Sequence, residues 1–441
     1  MNLLTDKVKT IYFKYLFAAF ASASIVSIYS IVDMAIVGQY QGPDGTAALA
    51  VVAPVWNIIY SLGLLTGIGG SVLFSILRGD KTADERTANE FFSASVIGAV
   101  LLSLAVWGAL VFFEREILIF FGADELLLNY ALDYMKPVLY VVPVFLFNQA
   151  LAAFLRNDGN PALATKGVLC GGVFNMVGDY VFVFTFDMGI FGAGLATAAG
   201  GALSFVIMLT HFFSSKNTLK FVLPRNFPAK FQKICATGFS TFFTDIAMGL
   251  LTILFNRQIM RYLGADALAV YGPIINVGTF VQSCGYSVGQ AAQPVISTNF
   301  GAKRAPRIKE VLKYALYTAA FFSVFWTALS LWKPNLYVWI FMKPTENILN
   351  IAPAIIRAYS LSFLFLPLNI FAIYYFQAII RQKAAFAVSV LRGIALSGAL
   401  IVILPAIWGG NAVWYAMPLT ETLTALVCLP LIVRYSRKIA A

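Results

Sequence analysis

The sequence is poor in the residues that most often carry enzyme chemistry. Its 441 residues include one histidine and four cysteines. His211 and the scattered Cys170, Cys235, Cys284 and Cys428 do not supply a zinc, haem or Cys–His centre at usable spacing. The cysteines lie in apolar stretches and read as small buried hydrophobes, with no disulfide framework. Charge is scarce as well: Asp, Glu, Lys and Arg make up 12% of the chain, where soluble domains carry about 25%. With 60% of the residues hydrophobic, a water-soluble protein of this length could not hide its apolar surface behind so few charges. An all-α polytopic membrane protein is expected instead, with no metal, no cofactor and no enzyme activity.

Apolar runs broken by Gly, Pro and charge predict twelve transmembrane helices, at about 11–37, 48–77, 91–113, 126–155, 163–186, 190–213, 234–260, 267–300, 311–332, 349–380, 384–407 and 411–433. The first run is too long for a cleavable signal and reads as the first span. If the N-terminus is cytoplasmic, 24 of the 31 basic residues fall at cytoplasmic ends, Arg381, Lys383 and Arg392 among them, and seven, including Arg257 and Lys343, fall in the outer half. That asymmetry places both termini inside a cell inner membrane. It also accounts for the net charge of +11 as topology, so no nucleic-acid partner is expected.

The sequence repeats. Ala48, Leu49, Ala50, Val51 and Pro54 recur as Ala267, Leu268, Ala269, Val270 and Pro273, while Gly67, Ser75, Gly79 and Lys81 recur as Gly289, Ser297, Gly301 and Lys303. Six spans per half make these parallel repeats, an arrangement used by alternating-access transporters. The expected division is an N-terminal lobe over 1–213, a cytoplasmic linker over 214–233 rich in Pro and basic residues, and a C-terminal lobe over 234–441.

Four acids fall inside predicted spans: Asp33, Asp179, Asp245 and Glu421. A carboxylate at membrane depth is costly unless paired, hydrated or protonated, and such residues usually line a pathway or relay. At 1.5 Å per residue Asp179 lies about 24 Å along the fifth span, and Asp33 lies similarly deep in the first. Asn175 is one turn from Asp179, and Thr197 on the sixth span reaches the same level. These four are the expected proton or cation cluster, Na+ being possible at Asp33, Asn175 and Asp179 through hard oxygen ligands. Asp245 and Glu421, each about 15 Å into its span, form a second expected pair. With Asn148, Gln149 and Asn369 they are candidates to line a substrate cavity, where an acid attracts cationic amphiphiles.

The run Arg156, Asn157, Asp158, Gly159, Asn160, Pro161, followed by Asn175, Asp179 and the stretch Gly189 to Thr197 (GIFGAGLAT), resembles the signature of the multidrug and toxic compound extrusion (MATE) family in its bacterial branch. Val32, Asp33, Val37 and Gly38 resemble that family's opening motif. The resemblance implies a V-shaped pair of six-helix bundles acting as a monomer in the lipid membrane. It implies export of small amphipathic or cationic compounds against inward H+ or Na+, with Asp33, Asn175, Asp179 and Thr197 as the ion network. The first span has no proline, unlike some members. A flippase for lipid-linked saccharides is the alternative; it would want a cationic cavity, and the charges at membrane depth read as acidic, with Arg257 the exception.

Overall fold

The computed structural model of the protein describes residues 2–341 and 344–440; Lys343, expected on the outer side, lies outside them. Among the described residues there are helices and no strand. In chain order these are α1 (Val8–Gly79), α2 (Glu85–Phe120), α3 (Glu125–Leu139), α4 (Val142–Asn157), α5 (Pro161–Tyr180), α6 (Gly189–Leu209), α7 (Phe227–Tyr262) and α8 (Ala265–Gly301). They are followed by α9 (Ala305–Trp332), α10 (Asn335–Phe341), α11 (Glu346–Ser360), α12 (Leu366–Ala378), α13 (Gln382–Val390), α14 (Leu396–Trp408) and α15 (Ala416–Ala440).

Among the described residues ten helices are long and apolar enough to cross a membrane, and α3 with α4, bent by 60°, makes an eleventh span. The 72-residue α1 is two spans. Gly42 interrupts it at φ 70°, ψ −155°, a conformation open to glycine, and Pro43 follows. The count is then twelve, six in each half. Helix starts are set by local chemistry: Asp84 accepts from the Arg86 N–H, Asp124 from Leu127 and Thr345 from Ile348. Pro161 opens α5, where its missing N–H costs nothing.

The chain divides into two compact units, Met1–Thr5 with Phe17–Phe242 and Asp6–Leu16 with Phe243–Ala441. The 214–233 segment packs onto the first unit. Leu219 is buried, the Lys220 N–H donates to Asn89 Oδ1 and the Val222 N–H to Ser93 Oγ, and Lys230 pairs with Glu90 at 2.9 Å. The start of α7 belongs there too, because glycines let backbones touch. A Cβ on Gly69 would lie 2.1 Å from the Ile234 carbonyl oxygen, and one on Gly238 2.0 Å from that of Leu65. In the second unit the first turns of α1 are held by Arg307, which donates to the Asp6 carbonyl at 2.7 Å, and by Tyr12 stacked on Tyr314.

The Arg156–Pro161 motif now has a physical account within the first unit. Asn157 accepts from Ser75 at 2.6 Å. Asp158 accepts from the buried His211 at 2.8 Å and from the Thr218 N–H at 2.9 Å. Gly159 takes φ 79°, and Asn160 reaches His211 Nδ1 at 3.1 Å. The motif fastens the α4–α5 turn to the end of α6 and to the segment that follows it.

Candidate functional site: two buried polar clusters

The first cluster is built by close packing of α5, α6 and α3. A Cβ on Gly171 would lie 2.5 Å from the Gly200 carbonyl oxygen, and one on Gly200 would lie 2.6 Å from that of Gly171. Contact this close between membrane helices needs small residues, and it sets Asn175 beside Thr197: the Asn175 amide donates to Thr197 Oγ1 at 3.1 Å and to Asp179 Oδ1 at 3.4 Å. Gly194, one turn before Thr197, lies where a Cβ would be 2.1 Å from the Tyr134 carbonyl. That approach delivers the Tyr134 hydroxyl to Thr197 at 3.3 Å and to Asp33 Oδ2 at 3.5 Å.

The four residues expected from the sequence are thus joined, through a fifth, Tyr134, that sequence reasoning did not single out. Asp179 and Asn175 are buried, and Asp33 and Asp179 are close enough to act on each other electrostatically. Three oxygens, Asp33 Oδ1, Asn175 Oδ1 and Asp179 Oδ2, are buried without a hydrogen-bond partner among the described residues. Two carboxylates and an amide carbonyl with free lone pairs are a donor set that a proton or a hard monovalent cation satisfies. The cluster adjoins a cavity of about 310 Å³ within the first unit, whose lining includes Tyr29, Asp33, Trp56, Tyr134, Gln149 and Thr197. Gln149 is therefore a cavity residue. Asn148 is not among the lining residues; its amide donates to the Gly201 carbonyl on α6 at 2.9 Å.

The second cluster, in the second unit, is built differently. Glu421 on α15 is 0% exposed and accepts from Arg392 Nε at 2.7 Å. Asn369 on α12 donates both to Glu421 Oε2 at 2.7 Å and to the Glu421 carbonyl at 2.8 Å. Asp245 and Glu421, expected as a pair, have separate partners. Asp245 accepts from the Tyr286 hydroxyl at 2.5 Å, and Tyr286 in turn accepts from Gln282 at 2.8 Å.

Arg392 corrects the charge reading of the sequence. Counted with the cytoplasmic basic residues, it is instead 1% exposed, which leaves 23 basic residues for that face. It sits in a π-turn, Leu391–Ala395, between α13 and α14, and the Ser397 hydroxyl donates to its carbonyl. The π-turn inserts an extra residue and turns the guanidinium inward toward α15. The acids at depth are therefore not the whole charge inventory.

A single 221-residue offset relates Asn148 to Asn369, Gly171 to Arg392 and Gly200 to Glu421. Both asparagines donate to a backbone carbonyl of the last helix of their half, that of Gly201 and that of Glu421, one position apart in this register.

Comparison with known proteins agrees. The sequence model of the MatE family matches this chain twice, over residues 18–181 and 240–401. A multidrug export protein, MepA of Staphylococcus saprophyticus, is 24% identical over 405 residues, covering 91% of this chain and 88% of the relative. A crystal structure of a MATE protein in a straight conformation superposes with TM-score 0.91 at 17% identity, covering 99% of this chain and 98% of that one. A MOP superfamily transporter from Pyrococcus furiosus, whose binding pocket is described as having reversed polarity, superposes with TM-score 0.90 at 17% identity, over 100% of this chain and 98% of its own. With both halves matched over most of their length, the chain belongs to the MatE family of multi-pass membrane transporters.

Proposed function

We propose that the protein is a secondary active antiporter of the cytoplasmic membrane, with both termini cytoplasmic, that exports small amphipathic or cationic drugs in exchange for H+ or Na+. The single observation that carries this reading is the Asp33–Tyr134–Thr197–Asn175–Asp179 chain, with three unpartnered oxygens, at the wall of a cavity. A site whose unpartnered oxygens can take a proton or cation is one whose occupancy can bias two conformations, provided the cation binds one of them more tightly. Thr197, accepting from Asn175, is free to donate to Tyr134, and Tyr134 to Asp33. One added proton or cation is therefore felt along the whole chain.

The name of the MepA relative supports a drug as the exported compound. Fold likeness by itself leaves pocket polarity open, so polarity is read from side chains. A flippase for a lipid pyrophosphate requires an unneutralised cationic cavity, and the one buried Lys or Arg among the described residues, Arg392, is paired with Glu421. The acidic lining of the first-unit cavity favours cationic cargo.

The test is drug accumulation in cells carrying Asp33→Asn or Asp179→Asn, followed by transport in proteoliposomes with independently set pH and Na+ gradients. We expect export to fall to the level of cells without the protein for either variant. Undiminished export from both would remove the coupling site, and the gradient that alone drives transport identifies the ion.

A further inference from the structure

The Arg392–Glu421 pair stands at the repeat positions of Gly171 and Gly200, one turn from Asn175 and Thr197 of the first cluster, and the unmatched atoms of the two clusters differ in that only the second includes donors. In the first half the orphans are acceptors: Asp33 Oδ1, Asn175 Oδ1 and Asp179 Oδ2. In the second cluster both oxygens of Glu421 are engaged, one by Arg392 and one by Asn369, and the unpartnered atoms are two donors, Arg392 Nη1 and Nη2, and two acceptors, Asp245 Oδ2 and Asn369 Oδ1. Arg392 also lies close enough to Asp245 to act on it electrostatically. The depth acids number two in each half, but among the described residues only the second half has a buried Lys or Arg, and it stands where the first half has Gly171.

We propose that Arg392 is a tethered cation that holds the place of a transported one, so that Glu421 is permanently neutralised and the coupling ion is taken only in the first half. This rests on the antiport reading above. A guanidinium is charged at every accessible pH and presents donors in a fixed fork, so it cannot leave the site as H+ or Na+ does. Each Glu421 oxygen already takes a hydrogen bond, and the fixed positive charge of Arg392 beside it both neutralises the carboxylate and repels a second cation. Removing the positive charge while keeping Glu421 frees one carboxylate oxygen and restores in the second half the condition that the first half has now.

The test uses the detergent-purified full chain, measuring binding of radiolabelled Na+ and, separately, proton uptake by potentiometric titration. Asp33→Asn/Asp179→Asn is expected to abolish cation binding. Adding Arg392→Gln to that background is expected to create one new cation site per chain, which a further Glu421→Gln removes, while Arg392→Lys creates none. The proposal is overturned if Asp33→Asn/Asp179→Asn still binds as much cation as the parent and Glu421→Gln removes it. It is equally overturned if folded Arg392→Gln, judged by a monodisperse profile and a cooperative thermal transition, gains no site.

Should Arg392→Gln fail to fold, Arg392→Met/Glu421→Met replaces the pair by neutral groups of similar size. That variant is expected to transport with unchanged ion stoichiometry, and a folded double variant that has lost coupling overturns the proposal. The antiport reading fails separately, if Asp33→Asn/Asp179→Asn still exports drug in response to an ion gradient, whatever the Arg392 variants do.

Discussion

In the first half Asn148 ties α4 to α6, and glycines at 171 and 200 let α5 and α6 meet backbone to backbone. In the second half Asn369 makes a similar bond to α15, but the positions of those glycines hold Arg392 and Glu421, and a buried ion pair stands where the first half has close approach. Small residues and polar bridges are the two ways of holding helices together where no hydrophobic driving force separates them from lipid. A repeat can therefore keep its backbone register while its halves carry different charge loads. Among the described residues the first-half cluster has acids and no Lys or Arg, which suits it to take up an ion; in the second, Arg392 offsets the charge of Glu421.

The sharpest break in this comparison comes from removing one partner of the second-half pair. Glu421→Ala leaves a buried guanidinium uncompensated, at a cost of about 3–5 kcal/mol, and we expect the purified protein to lose its cooperative thermal transition or to be missing from the membrane. Arg392→Met/Glu421→Met should return the midpoint to the parental value or above it, since a well-packed apolar pair is often as good as a buried ionic one. A double variant as unstable as the single one would mean that the pair has no apolar substitute and that the halves differ in more than charge.

Next in size is the matching test in the first half. Gly200→Ala places a Cβ 2.6 Å from the Gly171 carbonyl oxygen, with no flexible side chain to give way. Overpacking of this kind costs about 1–3 kcal/mol, and the displaced α6 carries Thr197 away from Asn175. We expect a lower thermal midpoint together with weaker export. A neutral Gly200→Ala would show that the close approach is not what aligns the cluster.

The equivalent asparagines sharpen the comparison further. Asn148→Ala removes one amide-to-carbonyl bond and Asn369→Ala removes two, one of them to a carboxylate. With about 0.5–1.5 kcal/mol for a neutral bond and about 1.5–3 for one to a charged group, the second-half variant should be the less stable. Thermal midpoints of the two, measured side by side, decide it; equal losses would mean that Glu421 draws its support from Arg392 alone.

What the sequence made legible follows the same division. The spans, the six-plus-six count and the repeat were readable because apolar length and matched Gly, Ser and Pro positions leave periodic traces. Asp33 and Asp179 stood out because an acid in an apolar run has few innocent explanations. Arg392 did not, although it lies well inside the run that follows Lys383, because counting basic residues by loop assigns such a residue to the nearest face. Its burial depends on a π-turn, which leaves no pattern in composition. The 214–233 segment was legible as a polar, basic stretch, but not that Asn89, Ser93 and Glu90 of α2 supply the partners that dock it. Tyr134 was one tyrosine among 20, and what selects it is the missing Cβ of Gly194 on another helix.

Tyr134 also gives the smallest and most specific effect. Tyr134→Phe deletes one hydroxyl, keeps the ring that packs between α3 and α6, and leaves all three unpartnered acceptor oxygens of the first cluster in place. Its two hydrogen bonds, at 3.3 and 3.5 Å, are long, so their loss should change stability by less than about 1 kcal/mol. What the hydroxyl alone supplies is continuity between Asp33 on α1 and the Asn175–Asp179 pair on α5. If that continuity transmits ion binding, Tyr134→Phe keeps its thermal midpoint and its ion binding while drug export per ion gradient declines in proteoliposomes. If the two acids act independently, export is unchanged, and the first half is better described as two separate carboxylates than as one network.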